Sequence, residues 1–310
     1  MNIFVCVSLT PEQTFRMHEA LPGQSLHLHP ALEPHPMARD AFCRCQVVFG
    51  NPPPGWIAES PSLRWVQLES VGFGEYADLD WKVLTTRLQM TNLAGFFSEP
   101  VAETILAGIL SHYRGVGRLS NLQANHKWLG DALRPLLKTL YGAQIVLFGK
   151  GNINQRLAKL LTPFNCDIQS FGRNWEHSEL QSALAKADIV VCTVPDSPST
   201  HGVFDRNLFG SIKHGGLFLN FGRGSLIDEA ALADALESSR LSGAVIDVTQ
   251  VEPLPPAHRF WTSPNLLLTQ HCGGGTADEI DRKIDFFLAN LDRQQRQEPL
   301  HSVVNFEKVE

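Results

Sequence analysis

Three side chains in the last third of the chain have the chemistry of a proton-transfer and anion-binding site: the guanidinium of Arg223, the carboxylate of Glu252 and the imidazole of His271. Arg223 stands in Asn220-Phe221-Gly222-Arg223-Gly224-Ser225-Leu226-Ile227-Asp228-Glu229. Glu252 stands in Asp247-Val248-Thr249-Gln250-Val251-Glu252-Pro253-Leu254-Pro255, and His271 in Thr269-Gln270-His271-Cys272-Gly273-Gly274. An imidazole can give or take a proton near neutral pH. A carboxylate beside it stabilises the imidazolium and fixes its orientation. A guanidinium can hold a substrate carboxylate and polarise a neighbouring carbonyl. Each group also has an ordinary reading: a structural or surface histidine, an Arg-Gly turn, a solvated loop glutamate.

Each of the three follows a short apolar run, namely Gly216–Leu219, Ala244–Ile246 and Leu266–Leu268, which reads as a buried strand of a parallel sheet. Ligands of open α/β sheets bind at the carboxyl ends of strands, so the three groups can converge on one crevice. Upstream, strand patterns at Ala143–Phe148, Asp167–Phe171 and Ile189–Thr193 alternate with helical ones, as βαβ crossovers require. A helix is expected from Ser98, as N-cap, to about Arg118. Before it, candidate strands are Ile3–Ser8, Ser25–His29, Gln46–Phe49, Trp65–Glu69 and Leu88–Thr91. A last helix spans about Thr276–Arg296.

The strand ending at Phe148 runs into Gly149-Lys150-Gly151-Asn152-Ile153-Asn154. Gly149 permits a tight turn. Gly151 lets the backbone at Asn152 and Ile153 approach a pyrophosphate at the helix N-terminus. Asn154 replaces the third glycine of the dinucleotide fingerprint, which costs close helix–strand packing and widens the turn slightly. Where a carboxylate would grip a ribose 2′-hydroxyl, the second strand ends in Gly172-Arg173. A guanidinium there pairs with a 2′-phosphate, so NADP is favoured and NAD is the alternative, with Arg173 then a solvated charge.

The three motifs, in this order and behind a glycine-rich turn, resemble the D-isomer-specific 2-hydroxyacid dehydrogenase family over nearly the whole chain. Gln270 stands where that family usually has proline, and Gly273 where it has alanine. The resemblance implies an α/β fold of two doubly wound parallel-sheet domains. A Rossmann nucleotide-binding domain (98–274) is inserted in a discontinuous, flavodoxin-like substrate domain (1–97 and 275–310). It implies reversible, nicotinamide-dependent interconversion of a 2-keto acid and a D-2-hydroxy acid. Arg223, Glu252 and His271 are then catalytic, and Val71 and Gly72 in Glu69-Ser70-Val71-Gly72-Phe73-Gly74 are substrate-binding together with Arg223 and His271. Pro195 and Thr200 flank the adenosine, and Asp247 lies near the nicotinamide amide unless it is a turn or cap residue. Phe73, Phe96 and Phe97 line the pocket or belong to the core. A homodimer through Leu119–Leu140, including Trp128, is also implied, the ordinary reading of that segment being a helix-to-sheet connection packed on its own domain. Other family chemistries, on formate or phosphite, and a nucleotide-sensing binding protein without turnover stay open.

Composition bounds the partners. The 310 residues suit two domains, and 43% hydrophobic with 19% charged residues suits globular cores. A net charge of −6 argues against nucleic acid. No apolar run is long enough for a membrane span, and the N-terminus reads as a strand rather than a signal peptide, so a cytoplasmic location is expected. The six scattered cysteines are expected as free thiols, with Cys272 read as buried and inert rather than as a reactive thiol near the pocket, and Cys43-x-Cys45 lacks the second pair a zinc site needs.

Overall fold

The computed structural model describes residues 1–29 and 36–306. It divides into two compact units, one of Met1–Phe96 with Thr276–Glu310 and one of Phe97–Gly275. Each is built on a wholly parallel sheet.

In the first unit the strands are β1 (Asn2–Val5), β2 (Ser25–Leu28), β3 (Val47–Phe49), β4 (Trp65–Gln67) and β5 (Gln89–Thr91), in spatial order β2-β1-β3-β4-β5. This is the flavodoxin-like order, with the reversal between β1 and β3. The inner strands β1 and β3 are short and apolar because both faces are covered, whereas the edge strand β2 is only partly buried. Ile3, Val5, Val47, Phe49 and Trp65 point to one side. There Phe287 of the helix Glu279–Gln295 stacks on Phe49 at 4.7 Å and on Trp65 at 5.3 Å. Phe4, Cys6, Val48, Val66 and Met90 point to the other side, onto Phe42, Ile57 and Tyr76.

In the second unit the strands are β6 (Gln144–Phe148), β7 (Asp167–Phe171), β8 (Ile189–Cys192), β9 (Gly216–Asn220), β10 (Leu241–Ile246) and β11 (Leu266–Leu268), in order β11-β10-β9-β8-β6-β7. The side chains alternate across the pleat. Ile145, Leu147, Val191, Leu219 and Val245 pack on the helices Ser98–Tyr113 and Asn152–Leu161. Val146, Phe148, Cys192, Phe218 and Ile246 pack on the opposite face. The order reverses between β6 and β8, so the crevice for a ligand opens at Gly149 and Thr193, beyond their carboxyl ends.

Two local expectations need correction. Phe97, not Ser98, occupies the N-cap position, and Ser98 is already helical. That helix ends at Tyr113, not near Arg118. Gly115 adopts a left-handed conformation (φ 66°) and a separate helix, Val116–Ala124, follows. No helix among the described residues is long and apolar enough to cross a membrane.

Candidate active site

The loops after β9, β10 and β11 carry Arg223, Glu252 and His271. Asn220 closes β9 and folds its side chain over the first loop, accepting from the Gly222 N–H at 3.1 Å and donating to the Arg223 carbonyl at 2.9 Å. A β-carbon on Gly222 would lie 2.5 Å from the Val194 carbonyl oxygen, and one on Gly224 would run into the Thr249 carbonyl. Glycine on both sides of Arg223 therefore lets the β9 loop pack backbone to backbone against the loops after β8 and β10. Arg223 itself is exposed, its guanidinium donating, among the described residues, only to the Gly222 carbonyl at 2.8 Å. Among the described residues no carboxylate forms an ion pair with it.

His271 Nδ1 lies 2.7 Å from Glu252 Oε2, and the Thr249 N–H donates to Glu252 Oε1 at 2.9 Å. Partial burial would by itself push the Glu252 carboxyl up. The hydrogen bonds from His271 and Thr249, with the charges of His271 and Arg223, outweigh it and hold the group below the usual carboxylate range. Glu252 is thus an ionised acceptor that engages Nδ1 of the half-exposed ring, and Nε2 meets no hydrogen-bond partner among the described residues. Asp247, Thr249, Glu252, Pro253, Leu254, Trp261, Leu268, Gln270 and His271 line a cavity of about 410 Å³ beside the pair.

The His271 loop is held by Asp247. Its Oδ1 accepts from the Thr269 hydroxyl at 2.5 Å and from the Gly273 N–H at 3.0 Å, and its carbonyl accepts from the His271 N–H at 2.6 Å. Asp247 is buried at 6% exposure, and these contacts give it a turn-fixing role in addition to any contact with a cofactor. Gln270 and His271 both have positive φ, 55° and 54°. Proline cannot adopt that conformation, which gives a physical reason for glutamine here. Cys272 is exposed, contrary to the buried thiol expected from sequence, and its Sγ faces the Thr269 carbonyl.

At the switch point Gly149 has φ 123°, and a β-carbon on it would lie 2.8 Å from Thr193 Oγ1. Asn154 does not loosen this turn as its sequence position suggested. It is buried, and its amide donates to the Gly149 carbonyl at 2.9 Å, so a hydrogen bond replaces the close packing of a glycine. Two buried polar atoms here, Asn154 Oδ1 and Thr193 Oγ1, have no partner among the described residues. Gly151 caps the helix Asn152–Leu161, with nothing within 4 Å of where its β-carbon would be. The helix start thus offers open N–H groups, Asn152 and Ile153 first, to an anion, as a dinucleotide pyrophosphate requires. The Thr200 hydroxyl donates to the Pro195 carbonyl at 2.9 Å and accepts from the Ser197 N–H, which shapes the loop after β8. Arg173 is exposed at the end of β7, and a β-carbon on Gly172 would lie 3.0 Å from Lys150 Cδ. Lys150, a second cation at that corner, was not singled out from the sequence.

Also missed were Glu229 and His258. Glu229 Oε1 accepts from the Gln250 N–H at 2.8 Å, while Oε2 lies 3.1 Å from His258 Nε2, so Glu229 braces the loop that carries Glu252. The signal available was its place in the Arg223 motif, six residues after the arginine.

In the first unit, the Asn51 side chain accepts from the Glu69 N–H and donates to Ser70 Oγ, and the Asn92 amide donates to the Val71 carbonyl at 2.8 Å. Val71 and Gly72 are exposed, and among the described residues neither N–H meets an acceptor. Phe73 stacks edge-on against Phe306 and belongs to the core. Phe96 lies under Arg282, and Phe97 packs on the core of the second unit.

The family model described as the NAD binding domain of D-isomer specific 2-hydroxyacid dehydrogenases matches residues 106–273. Glyoxylate/hydroxypyruvate reductase A of Arabidopsis thaliana is 28% identical over 258 residues, 80% of this chain and 81% of the relative. Among solved structures, the NADPH-dependent glyoxylate/hydroxypyruvate reductase of Sinorhizobium meliloti, in complex with NADP and sulfate, superposes with a TM-score of 0.80. It is 21% identical and the match covers 99% of this chain and 98% of that one. The D-lactate dehydrogenase of Lactobacillus jensenii with NAD+ also gives a TM-score of 0.80, at 20% identity, covering 98% and 100%. These structural likenesses speak for the fold.

Proposed function

The chain belongs to the D-isomer-specific 2-hydroxyacid dehydrogenase family and is an NAD(P)-dependent oxidoreductase; from that premise we propose that it reduces a small 2-keto acid, of the glyoxylate or hydroxypyruvate class, to the D-2-hydroxy acid. The observation that carries this reading is the 2.7 Å contact between His271 Nδ1 and Glu252 Oε2.

Bound nicotinamide nucleotide supplies the hydride in reduction and accepts it in oxidation. Gly149, Gly151, Asn152 and Ile153 suit the pyrophosphate, Pro195 and Thr200 the adenosine side, and Asp247 the carboxamide. Arg223 takes the substrate carboxylate in a charge-assisted pair and draws electron density from the adjacent carbonyl. The N–H groups of Val71 and Gly72 are our proposed carboxylate donors in the first unit. In reduction, the imidazolium of His271 gives the Nε2 proton to the carbonyl oxygen as negative charge grows there. In oxidation, the neutral ring takes the hydroxyl proton at the same atom. Glu252 fixes the ring and offsets the imidazolium charge in both directions. General acid catalysis of this kind contributes about 10²–10⁴-fold.

We favour NADP over NAD because Arg173 and Lys150 stand where a carboxylate would otherwise meet the ribose. The helix Val116–Ala124 buries none of its residues, and Trp128 (94% exposed), Leu129 and Leu136 follow it, which supports a homodimer through this segment. All six cysteines are free, which supports a cytoplasmic location.

The reading is tested by following NADPH and NADH oxidation with glyoxylate, hydroxypyruvate, pyruvate and phenylpyruvate. Turnover of the first two is expected. Clear nucleotide binding with no turnover of any acid would overturn it.

A further inference from the structure

The helix Glu279–Gln295 turns a buried stripe of Lys283, Ile284, Phe287, Asn290 and Leu291 toward the sheet of the first unit. Lys283 is the only charged member of that stripe, and its side chain is 8% exposed. Burying an ammonium is costly, and packing alone would favour an apolar residue there. Two carboxylates stand beside it. Nζ lies 2.8 Å from Glu279 Oε1, one turn back on the same helix, and 3.6 Å from Glu69 Oε2. Glu279 sits in the first helical turn, where the helix dipole already favours a carboxylate. Glu69 has no such support. It opens the loop whose Val71 and Gly72 N–H groups meet no acceptor among the described residues. The charge of Glu69 also reaches the end of β1: the Cys6 thiol is pushed up to about 12, by burial first and then by Glu69.

A carboxylate at the foot of an anion-binding loop opposes the ligand that the loop is to hold. We propose that Lys283 is a positioning residue that neutralises Glu69, so that the loop Glu69–Gly72 accepts a substrate carboxylate. This rests on the reading that the Val71 and Gly72 N–H groups bind that carboxylate. Lys283 acts through Glu69 and the loop, as a positioning and charge-compensating residue.

The test uses oxalate as a probe, because its binding is read without turnover. Calorimetry on the full chain saturated with NADPH is run for the wild type, Lys283→Met, Lys283→Arg, Glu69→Gln and the double variant Lys283→Met/Glu69→Gln. Steady-state KM and kcat for glyoxylate are measured alongside. Lys283→Met is expected to weaken oxalate binding and raise KM by about tenfold or more, with kcat and the Kd for NADPH changed by less than about twofold. Lys283→Arg is expected to stay near the wild type, and the double variant to recover most of the loss, which repair of a merely structural defect would not produce. Should Lys283→Met fail to fold, Glu69→Gln carries the test and is expected to bind oxalate at least as tightly as the wild type. Unchanged oxalate binding in a folded Lys283→Met, no recovery in the double variant, about tenfold weaker binding in Glu69→Gln, or no oxalate binding by the wild type overturns the proposal. Lys283-dependent oxalate binding without turnover of any keto acid would leave the Lys283 assignment standing and remove the reductase reading.

Discussion

Gly224 lies so close to Thr249 that a β-carbon on it would run into the Thr249 carbonyl. One backbone contact therefore sets the loop of Arg223 against the loop that presents Glu252, whose Oε1 is held by the Thr249 N–H. Gly224→Ala must part the two loops. It is expected to lower kcat/KM by about 10²-fold or more, while the Kd for NADPH, measured by fluorescence, changes far less. Near-normal kcat/KM in this variant would show that the loop contact does not align the site.

Gln270 makes the opposite kind of case. Its φ of 55° excludes proline, although proline is the residue the family motif carries here. Gln270→Pro is expected to destabilise the protein by about 1–3 kcal/mol in chemical denaturation and to lower kcat by displacing His271. A variant as stable and as active as the wild type would contradict this loop conformation.

His112 gives an acid-side stability signature. The ring lies against Gly243, where a β-carbon would come within 2.6 Å of Nδ1, and Nε2 contacts Ser242 Oγ at 2.9 Å. Burial first, and the Lys138 charge second, lower its pKa to about 4 from 6.5. The unfolded chain therefore binds a proton that the folded chain refuses between those values. The stabilisation is full above about pH 6.5 and is lost progressively as pH falls toward about 4, on the order of 3 kcal/mol in all. Urea unfolding followed across that window should show this slope, and His112→Gln should flatten it. An unchanged slope would place the acid sensitivity elsewhere.

Arg173 and Lys150 make cofactor preference testable by binding alone. Arg173→Ala is expected to weaken NADPH by about tenfold or more and NADH by little, with a further selective loss on adding Lys150→Ala. Equal losses for both nucleotides would leave Arg173 a solvated charge.

Much of this was legible in the sequence because it is local. Most inner strands are apolar runs between turns, and Leu266–Leu268 falls where such a run places it, while Asp167–Phe171, which is not apolar throughout, follows from the spacing of the βαβ alternation. Arg223, Glu252 and His271 each follow such a run, so a parallel sheet delivers them to one edge. What was not legible depends on partners far along the chain. Asn154 reads as a defective glycine until its amide is seen on the Gly149 carbonyl. Glu229 bracing Gln250, Lys150 lying on Gly172 and Lys283 reaching Glu69 are contacts that no periodicity encodes. The end of the helix at Tyr113 was missed because apolar residues continue through Val116 and Leu119, while the left-handed Gly115 breaks the path.

In the proposed reaction His271, oriented by Glu252, moves the proton. The most direct measurement is single-turnover reduction of glyoxylate by enzyme preloaded with NADPH, in the wild type and in His271→Ala, with NADPH affinity measured on the same samples. A rate loss of about 10²–10⁴-fold at unchanged NADPH affinity is expected. A His271→Ala enzyme that reduces glyoxylate within a few-fold of the wild-type rate would contradict it.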